Sequence, residues 1–239
     1  MEPYAREEFL ACCIARLIGD AGHVAVGAAS PVPATAVYLQ KYMRNPRLRI
    51  SLLHKRRGNP FTEGSRELFD LAGQGRIDVF FLGGAQIDGD ANINLVQAGE
   101  NRLPGCFGSS YMYFAAKRTI LFREEHSRRV LVPKVEFVSA CGWSPPEVKR
   151  NGGPQALLTG KALFSWQPDR HRFRLESVHP GSSAAEVRDS TGFDYDVSRD
   201  PTETAPPTAE ELRLLRSAVR EQIAANYPEF ARRVWGAAA

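Results

Sequence analysis

The sequence lacks several features that would place a protein in a specialised class. No uninterrupted run of apolar residues reaches the roughly 18 that a membrane-spanning helix needs, and the acidic start of the chain is unlike a secretory signal. The chain has only four cysteines, and no two of them have the C-x-x-C spacing typical of a zinc site. The net charge is a mild +4, which does not by itself predict nucleic-acid binding. We therefore expect a cytoplasmic protein with reduced thiols, no bound metal, and neither membrane nor nucleic acid as partner.

Short apolar segments alternate with amphipathic ones through the first 140 of the 239 residues. The amphipathic segments have apolar residues at helical spacing, and the apolar segments are bounded by glycine, proline or polar residues, which is typical of strands. Helices are predicted at 9–18, 34–42 and 66–75, and strands at 23–28, 48–53, 77–82, 119–122 and 130–138. This alternation predicts an α/β fold with an open, mainly parallel sheet flanked by helices.

The second half of the chain predicts a different organisation, with a few antiparallel strands and a C-terminal helix. Two short strands, 162–166 and 172–178, are separated by a turn sequence. Residues 198–207 are rich in proline and threonine and predict a surface linker. A capping-box spacing at 208–211 then predicts the start of a helix. The expected divisions are a domain over 1–197 and a linker with a helical tail, 198–239, packed on that domain.

The most informative segment follows the strand predicted at 77–82. It begins with two glycines and then carries three amide side chains within ten residues. Glycines at the carboxyl end of a parallel strand let a ligand approach the backbone, and N–H groups there can stabilise a negative oxygen. The same pattern is typical of a tight turn capped by its own polar side chains, so both interpretations stay open. The glycines are Gly83 and Gly84, and the amides are Gln86, Asn92 and Asn94.

Four short motifs follow one another in order between residues 82 and 193. They are LGGAQID with NIN (82–88 and 92–94), LPGCFG (103–108), HPG (179–181) and TGF (191–193). In this order they resemble the β subunits of the class I coenzyme A transferase family, over about residues 10–195. The resemblance includes glutaconate-CoA-transferase-like β subunits and the β subunit of a steroid ring-cleaving CoA-thioester hydrolase.

This resemblance implies an open α/β subunit of the CoA-transferase and NagB-like type, active only as a complex with a related α-type subunit. A heterotetramer is implied, as is an acyl-CoA thioester as substrate, with no cofactor permanently bound. The glycine-rich turn would then hold the acyl group and its developing oxyanion. The residues implied for this role are Gly83, Gly84, Gln86, Asn92, Asn94 and Gly105.

The sequence departs from the family where the family's nucleophilic glutamate is expected, after the second strand. Residues 54–58 (HKRRG) follow that strand here, and no acidic residue occurs from Ala21 through Thr62. Covalent catalysis of the family type needs a carboxylate as the attacking group. The candidates are Glu63, which also fits an ordinary acid at a helix N-terminus, and His54, which fits either a general base or a structural histidine.

Two further features bear on the chemistry. The run Lys55-Arg56-Arg57 predicts a site for the phosphates of CoA or for an acidic substrate, although such runs are also common on solvated surfaces. Ala91 stands where the family usually has glycine, and its Cβ restricts the backbone there.

Four interpretations of function stay open. The chain is a transferase subunit that uses Glu63 from a rearranged loop, or a transferase subunit whose alignment is shifted by several residues. Alternatively it belongs to a CoA-thioester ring-opening hydrolase of steroid or aromatic catabolism, in which the α subunit supplies the acid or base. From another class of protein, it is a non-catalytic structural or binding subunit.

Overall fold

The computed structural model describes residues 3–53, 55, 59, 61 and 63–236. By their internal contacts these residues divide into two units. The first contains the described parts of 1–62, 77–79 and 206–239, and the second contains those of 63–76 and 80–205. The boundary at residue 197 that the sequence predicts stays a prediction.

The secondary structure alternates in the first half and is richer in strands in the second. The helices of the described residues are α1 (Arg6–Ile18), α2 (Pro31–Met43), α3 (Ser65–Gly73), α4 (Ser109–Ala115), α5 (Ala184–Ser190), α6 (Ala209–Leu214), α7 (Arg220–Asn226) and α8 (Pro228–Trp235). The strands there are β1 (His23–Val26), β2 (Arg49–Leu52), β3 (Val79–Leu82), β4 (Gln86–Ile87), β5 (Ile93–Asn94), β6 (Gln97–Ala98), β7 (Asn101–Arg102), β8 (Arg118–Arg123), β9 (Gly153–Thr159), β10 (Ala162–Gln167), β11 (Arg172–Val178) and β12 (Asp196–Glu203).

The first unit is built around two short parallel strands. β1 pairs with β2 in parallel, with His23 opposite Arg49 and Val26 opposite Leu52. All four residues of β1 are buried, as a central strand covered on both faces requires. The Asp78 N–H donates to the His23 carbonyl at 2.9 Å, so the approach to β3 also runs beside β1. The helices α1 and α2 and the strands β1 and β2 confirm the sequence prediction to within a few residues.

The C-terminal helices complete the first unit. Thr208 caps α6 as its sequence predicts: its Oγ1 accepts the Glu211 N–H at 3.2 Å, and the Glu211 carboxylate accepts the Thr208 N–H at 2.7 Å. The single helix predicted beyond it is instead three, because a π-helical segment (Leu215–Val219) precedes α7 and Pro228 begins α8. Proline has no N–H for a continuing helix, but it suits a first helical position.

The second unit contains a sheet that mixes parallel and antiparallel pairs. β8 pairs with β9 in parallel, and β9, β10 and β11 are successively antiparallel. The β10–β11 pair confirms the predicted hairpin. With the parallel β1–β2 pair of the first unit, these elements confirm an α/β fold with a mainly parallel sheet flanked by helices.

Two sequence predictions in this unit were wrong. Residues 198–207, predicted as a linker, contribute most of β12, which pairs in parallel with β11 at the edge of the sheet. Proline is tolerated on an edge strand near an irregular register, and the β11–β12 register shifts between Leu175 and Ser177. Residues 130–138, predicted as a strand, form one isolated bridge between Leu131 and Ile87 and then continue as irregular chain. Among the described residues, no helix has the length and apolar character needed to cross a bilayer.

Candidate functional site

The segment after β3 turns sharply at two glycines that have no room for a side chain. A Cβ on Gly83 would lie 2.6 Å from the Phe122 carbonyl oxygen, and one on Gly84 would lie 2.7 Å from Ile93 Cγ2. These separations are far below van der Waals contact. The two glycines are therefore required by close backbone packing in the second unit, whatever else the turn binds.

A hydrogen-bond network centred on Gln86 fixes the strand that follows this turn. Gln86 is buried, and its Oε1 accepts from Asn94 Nδ2 at 2.7 Å and from the Glu136 N–H at 3.1 Å. Its Nε2 donates to Glu136 Oε1 at 2.7 Å. Both polar ends of the Gln86 amide thus have partners inside the protein.

Glu136 closes this network from the irregular segment that was predicted as a strand. Its Oε2 accepts the Gly99 N–H at 2.6 Å. This bond and the bond from Gln86 lower the pKa of the Glu136 carboxyl, so it is a carboxylate at neutral pH. Glu136 therefore connects the 86–94 segment to the β6–β7 hairpin.

Asp88 is the buried charge of the site and holds the rest of the turn. It is only 2% exposed. Its Oδ1 accepts the Asp90 and Asn92 N–H groups at 3.1 and 3.0 Å, and its Oδ2 accepts Asn92 Nδ2 and the Val135 N–H at 3.2 Å each. A buried carboxylate needs such a set of donors to offset the loss of hydration.

Asn92 and Asn94 also bond within the loop. Asn92 Oδ1 accepts the Gly142 N–H at 3.2 Å, and Asn94 Oδ1 accepts the Val96 and Gln97 N–H groups at 3.1 and 3.3 Å. The self-capped turn considered for the sequence accounts for these bonds. A role of the two amides in holding an acyl group stays a prediction.

Ala91 adopts the backbone conformation for which glycine is usual. Its φ is +59°, and its side chain is fully buried against Gly142. The Tyr113 hydroxyl donates to the Ala91 carbonyl at 3.0 Å. Burial raises the pKa of Tyr113, which stays protonated and keeps this bond. The departure from the family pattern at Ala91 thus keeps a left-handed turn at a cost in backbone strain.

Gly105 lies on the next turn of the same unit. Its N–H donates to the Leu95 carbonyl at 3.1 Å, and the Leu103 N–H donates to the Val96 carbonyl at 2.9 Å. These bonds place the LPG motif along the segment that leaves β5. The predicted acyl-binding residues therefore share one region of the second unit, linked by backbone bonds and by the Gln86 network.

The predicted catalytic residues are not brought together with this region. Glu63 lies just before α3, its side chain is 63% exposed, and its carboxylate is 3.2 Å from Arg66 Nη1. That is the position of an ordinary acid near a helix start. Lys55 is half-buried and its N–H donates to the Leu52 carbonyl at 3.1 Å. His54, Arg56 and Arg57 lie outside the described residues.

Two buried histidines serve the packing of the second unit. His179, in the HPG motif, lies with Nε2 3.0 Å from the Thr159 carbonyl oxygen and Nδ1 2.8 Å from Thr204 Oγ1. His126 lies with its ring nitrogens 2.7 and 3.0 Å from the hydroxyls of Thr159 and Thr191. Within the described part of the chain, no three His, Cys, Asp or Glu side chains group as metal ligands.

Sequence reasoning missed Asp88 and Glu136 as organising residues of the site. Asp88 stands inside the LGGAQID motif, and a lone acid in a glycine-rich turn is a signal that a backbone-capping role could have explained. Glu136 gave no such signal, because its partner Gln86 is fifty residues away along the chain. Its segment was also predicted to be a strand.

Comparison with known proteins identifies relatives over most of the chain. The sequence profile of the family described as Coenzyme A transferase matches residues 13–190. The β-type subunit of the 3-oxoadipate CoA-transferase of Pseudomonas knackmussii is 32% identical over 163 residues, which are 64% of this chain and 62% of that protein. The cholesterol ring-cleaving hydrolase IpdB subunit of Rhodococcus jostii is 31% identical over 166 residues, which are 64% of each chain.

The fold is also found among crystal structures. A chain of the decarboxylase AibA/AibB superposes with a TM-score of 0.75 at 25% identity, over 98% of this chain and 100% of that one. The sequence matches to the two curated relatives span less than two thirds of their lengths. The family profile, in contrast, spans more than half of this chain. The chain therefore belongs to the coenzyme A transferase family, and its likeness is to the β-type subunits of that family.

Proposed function

We propose that this chain is the β-type subunit of an enzyme that acts on an acyl-CoA thioester together with an α-type partner. The family match over residues 13–190 carries this proposal. The two curated relatives are named as subunits, and the AibA/AibB decarboxylase is named for two components. The coenzyme A thioester is the substrate in this proposal.

The contribution of this chain is a preorganised turn that receives the thioester carbonyl. Backbone N–H groups at Gly83-Gly84 stabilise the oxygen that becomes negative when the thioester reacts. The turn can do so only if it is held still, and the Asp88 and Gln86–Glu136 hydrogen bonds hold it. Preorganised donors cost no rearrangement at the moment of reaction, which is why they lower the barrier.

A second candidate is hydrolytic opening of a CoA-linked ring, with the reacting acid or base supplied by the partner. The absence of any acidic residue from Ala21 through Thr62 favours it, because the family's covalent route needs a carboxylate in that region. The first acid beyond, Glu63, is exposed and paired with Arg66. The IpdB relative is named as a ring-cleaving hydrolase subunit.

The test of function is reconstitution with an α-type partner, followed by incubation with an acyl-CoA and a second carboxylic acid. Movement of CoA to the second acid identifies a transferase. Ring opening in water with CoA still attached identifies the hydrolase. Hydroxylamine or borohydride trapping shows whether a protein-bound CoA thioester forms on this chain. Failure to bind or convert any CoA thioester would contradict the proposal.

Three variants separate an enzymatic role from a supporting one. Gln86→Ala removes the centre of the network that holds the turn, and we expect kcat/KM to fall about 100-fold, as for small misplacements of reacting groups. Glu63→Ala should change it by less than about twofold, since that carboxylate is solvated. His54→Ala tests the general base predicted from the sequence.

A matched control uses Gln97, an exposed glutamine in the same segment whose Nε2 donates to the Gly99 carbonyl at 3.0 Å. Gln97→Ala should leave activity near wild type. Thermal unfolding of each variant excludes loss of fold as the cause. If Gln86→Ala, Glu63→Ala and His54→Ala all keep full activity, the chain only supports its partner.

A further inference from the structure

A groove with a volume of about 620 Å³ lies within the first unit, between the loop after β1 and the α7–α8 junction. Its size falls in the range of small-molecule sites. The loop side is formed by Ala28, Ala29 and Pro31, and the helical side includes Ala225, Tyr227 and Phe230.

The groove lies at the carboxyl edge of the β1–β2 pair. Its loop begins where β1 ends, and the Leu53 N–H donates to the Val26 carbonyl at 3.0 Å, so the chain leaving β2 lies beside the end of β1. In α/β proteins ligands bind outside the carboxyl ends of parallel strands. The groove is therefore on the edge from which the chain after β2 departs, where the family has its reacting glutamate.

The lining is poor in groups that would hold a charge. Its members are mostly alanine, proline and aromatic rings, and among the described residues that line it the charged one is an acid, Glu229. The start of α2 also makes a weak anion site, because Pro31 and Pro33 occupy its first turn and have no N–H to donate. A neutral, apolar ligand suits this lining better than a carboxylate.

Tyr227 fixes the helical side of the groove. Its hydroxyl donates to the Ala28 carbonyl at 2.9 Å, and its ring is buried. Burial raises the pKa of Tyr227 to about 12, so the hydroxyl stays protonated and keeps this bond. This side of the groove lies beyond residues 13–190, the part that the family profile covers. The helical side is thus free to differ between relatives that share the family motifs.

We propose that this groove holds the apolar part of an acyl group longer than acetyl, and that residues of the α7–α8 junction determine acyl specificity. The substrates are then CoA thioesters of apolar acids without a second carboxylate. This inference rests on the proposed function.

The experiment fills the groove from its exposed helical side. Ala225 is solvent-exposed on α7, so Ala225→Phe narrows the groove without replacing a core residue. The matched control is Ala209→Phe, the same change at an exposed position of α6 in the same unit, outside the groove. Each full chain is combined with its α-type partner, and binding is measured by calorimetry for CoA and for acetyl-, butyryl-, hexanoyl- and adipoyl-CoA.

The expected result is an affinity that rises about tenfold from butyryl- to hexanoyl-CoA, since each buried methylene contributes about three- to fourfold. Adipoyl-CoA, which adds a carboxylate at the far end, should bind more weakly than hexanoyl-CoA. Ala225→Phe should abolish the rise and leave acetyl-CoA within about twofold of wild type, whereas Ala209→Phe should keep the rise.

Two failures are distinguishable. If CoA and its esters bind but affinity does not depend on acyl length, or Ala225→Phe keeps the dependence, the groove is not the acyl site and the proposed function stands. If no CoA compound binds at all, the proposed function fails and the acyl site fails with it.

Discussion

Ala91 shows how one residue departs from its family and still keeps the family's backbone. Its positive φ is a conformation that costs an alanine about 1 kcal/mol or more, and the methyl group that causes the cost is fully buried. The burial of that methyl group and the lower chain entropy of alanine in the unfolded state both offset the strain. Strain and compensation are therefore of similar size at this position.

We expect Ala91→Gly to change the free energy of unfolding by less than about 1 kcal/mol, because relief of strain and loss of the buried methyl group nearly cancel. Ala91→Val should destabilise by about 3 kcal/mol, since a β-branched residue is a strong outlier at positive φ and Gly142 leaves no room. Urea unfolding of both variants measures this. A valine variant as stable as wild type would contradict the backbone assignment.

The sequence located the site but not its internal bonds. The order of the LGGAQID, NIN and LPG motifs was enough to place the glycines and amides in one region. The partners of Gln86 and Asp88 were out of reach, because Glu136 and Val135 lie in an irregular segment about fifty residues further along. Only the folded chain brings such residues together.

Among helices and strands, periodicity was a good guide where a segment is buried on a constant face. The helices α1, α2 and α3 and the strands β1, β2 and β3 fall where apolar spacing put them. The two errors have a common cause, since β12 and residues 130–138 owe their structure to neighbours rather than to their own pattern. β12 is an edge strand despite its proline, and residues 130–138 bond to side chains such as Asp88.

The attachment of the C-terminal helices to α1 depends on one buried carboxylate. Glu8 is 2% exposed and accepts from Arg216 Nε at 2.9 Å, Trp235 Nε1 at 3.0 Å and the Ala5 N–H at 2.8 Å. Burial alone would raise the pKa of Glu8, but these bonds from Arg216, Ala5 and Trp235 lower it. Glu8 is thus a charge that needs its partners.

Arg216→Ala should destabilise the chain by about 2 kcal/mol, because it leaves the Glu8 carboxylate buried without its main partner; the partial exposure of Arg216 keeps the loss below that of a fully buried pair. Arg213→Ala, an exposed arginine in α6, is the control and should change stability by less than about 0.5 kcal/mol. Chemical denaturation compares the two. Equal, small effects would show that the Glu8–Arg216 pair does not hold the helices to α1.

For the complete chain, acid stability should be limited first by His126. Burial lowers its pKa to about 4, and the side chain is 7% exposed. The unfolded chain then binds a proton near pH 6.5 that the folded chain refuses until about pH 4. Stability is therefore full above pH 6.5 and is lost as the pH falls from 6.5 towards 4, by about 3 kcal/mol in total.

Unfolding free energies at pH 7.5 and pH 5 measure this dependence. The carboxylates whose pKa is lowered, such as Glu8, contribute their own loss only below about pH 4.5. His126→Gln should therefore be less stable than wild type at pH 7.5 but should show little change between the two values. An unchanged slope in that variant would assign the acid sensitivity to another group.

The return of the last helices to the first has a consequence for how the protein is made. Arg216 Nη2 donates to the Pro3 carbonyl at 2.8 Å, and Arg233 pairs with Glu7. The segments of the second unit have all been synthesised by residue 205, whereas α1 waits for partners beyond that point. While the nascent chain is still on the ribosome, the apolar face of α1 and the Glu8 carboxylate lack their final cover. That interval is when the chain is most open to aggregation and to chaperone binding.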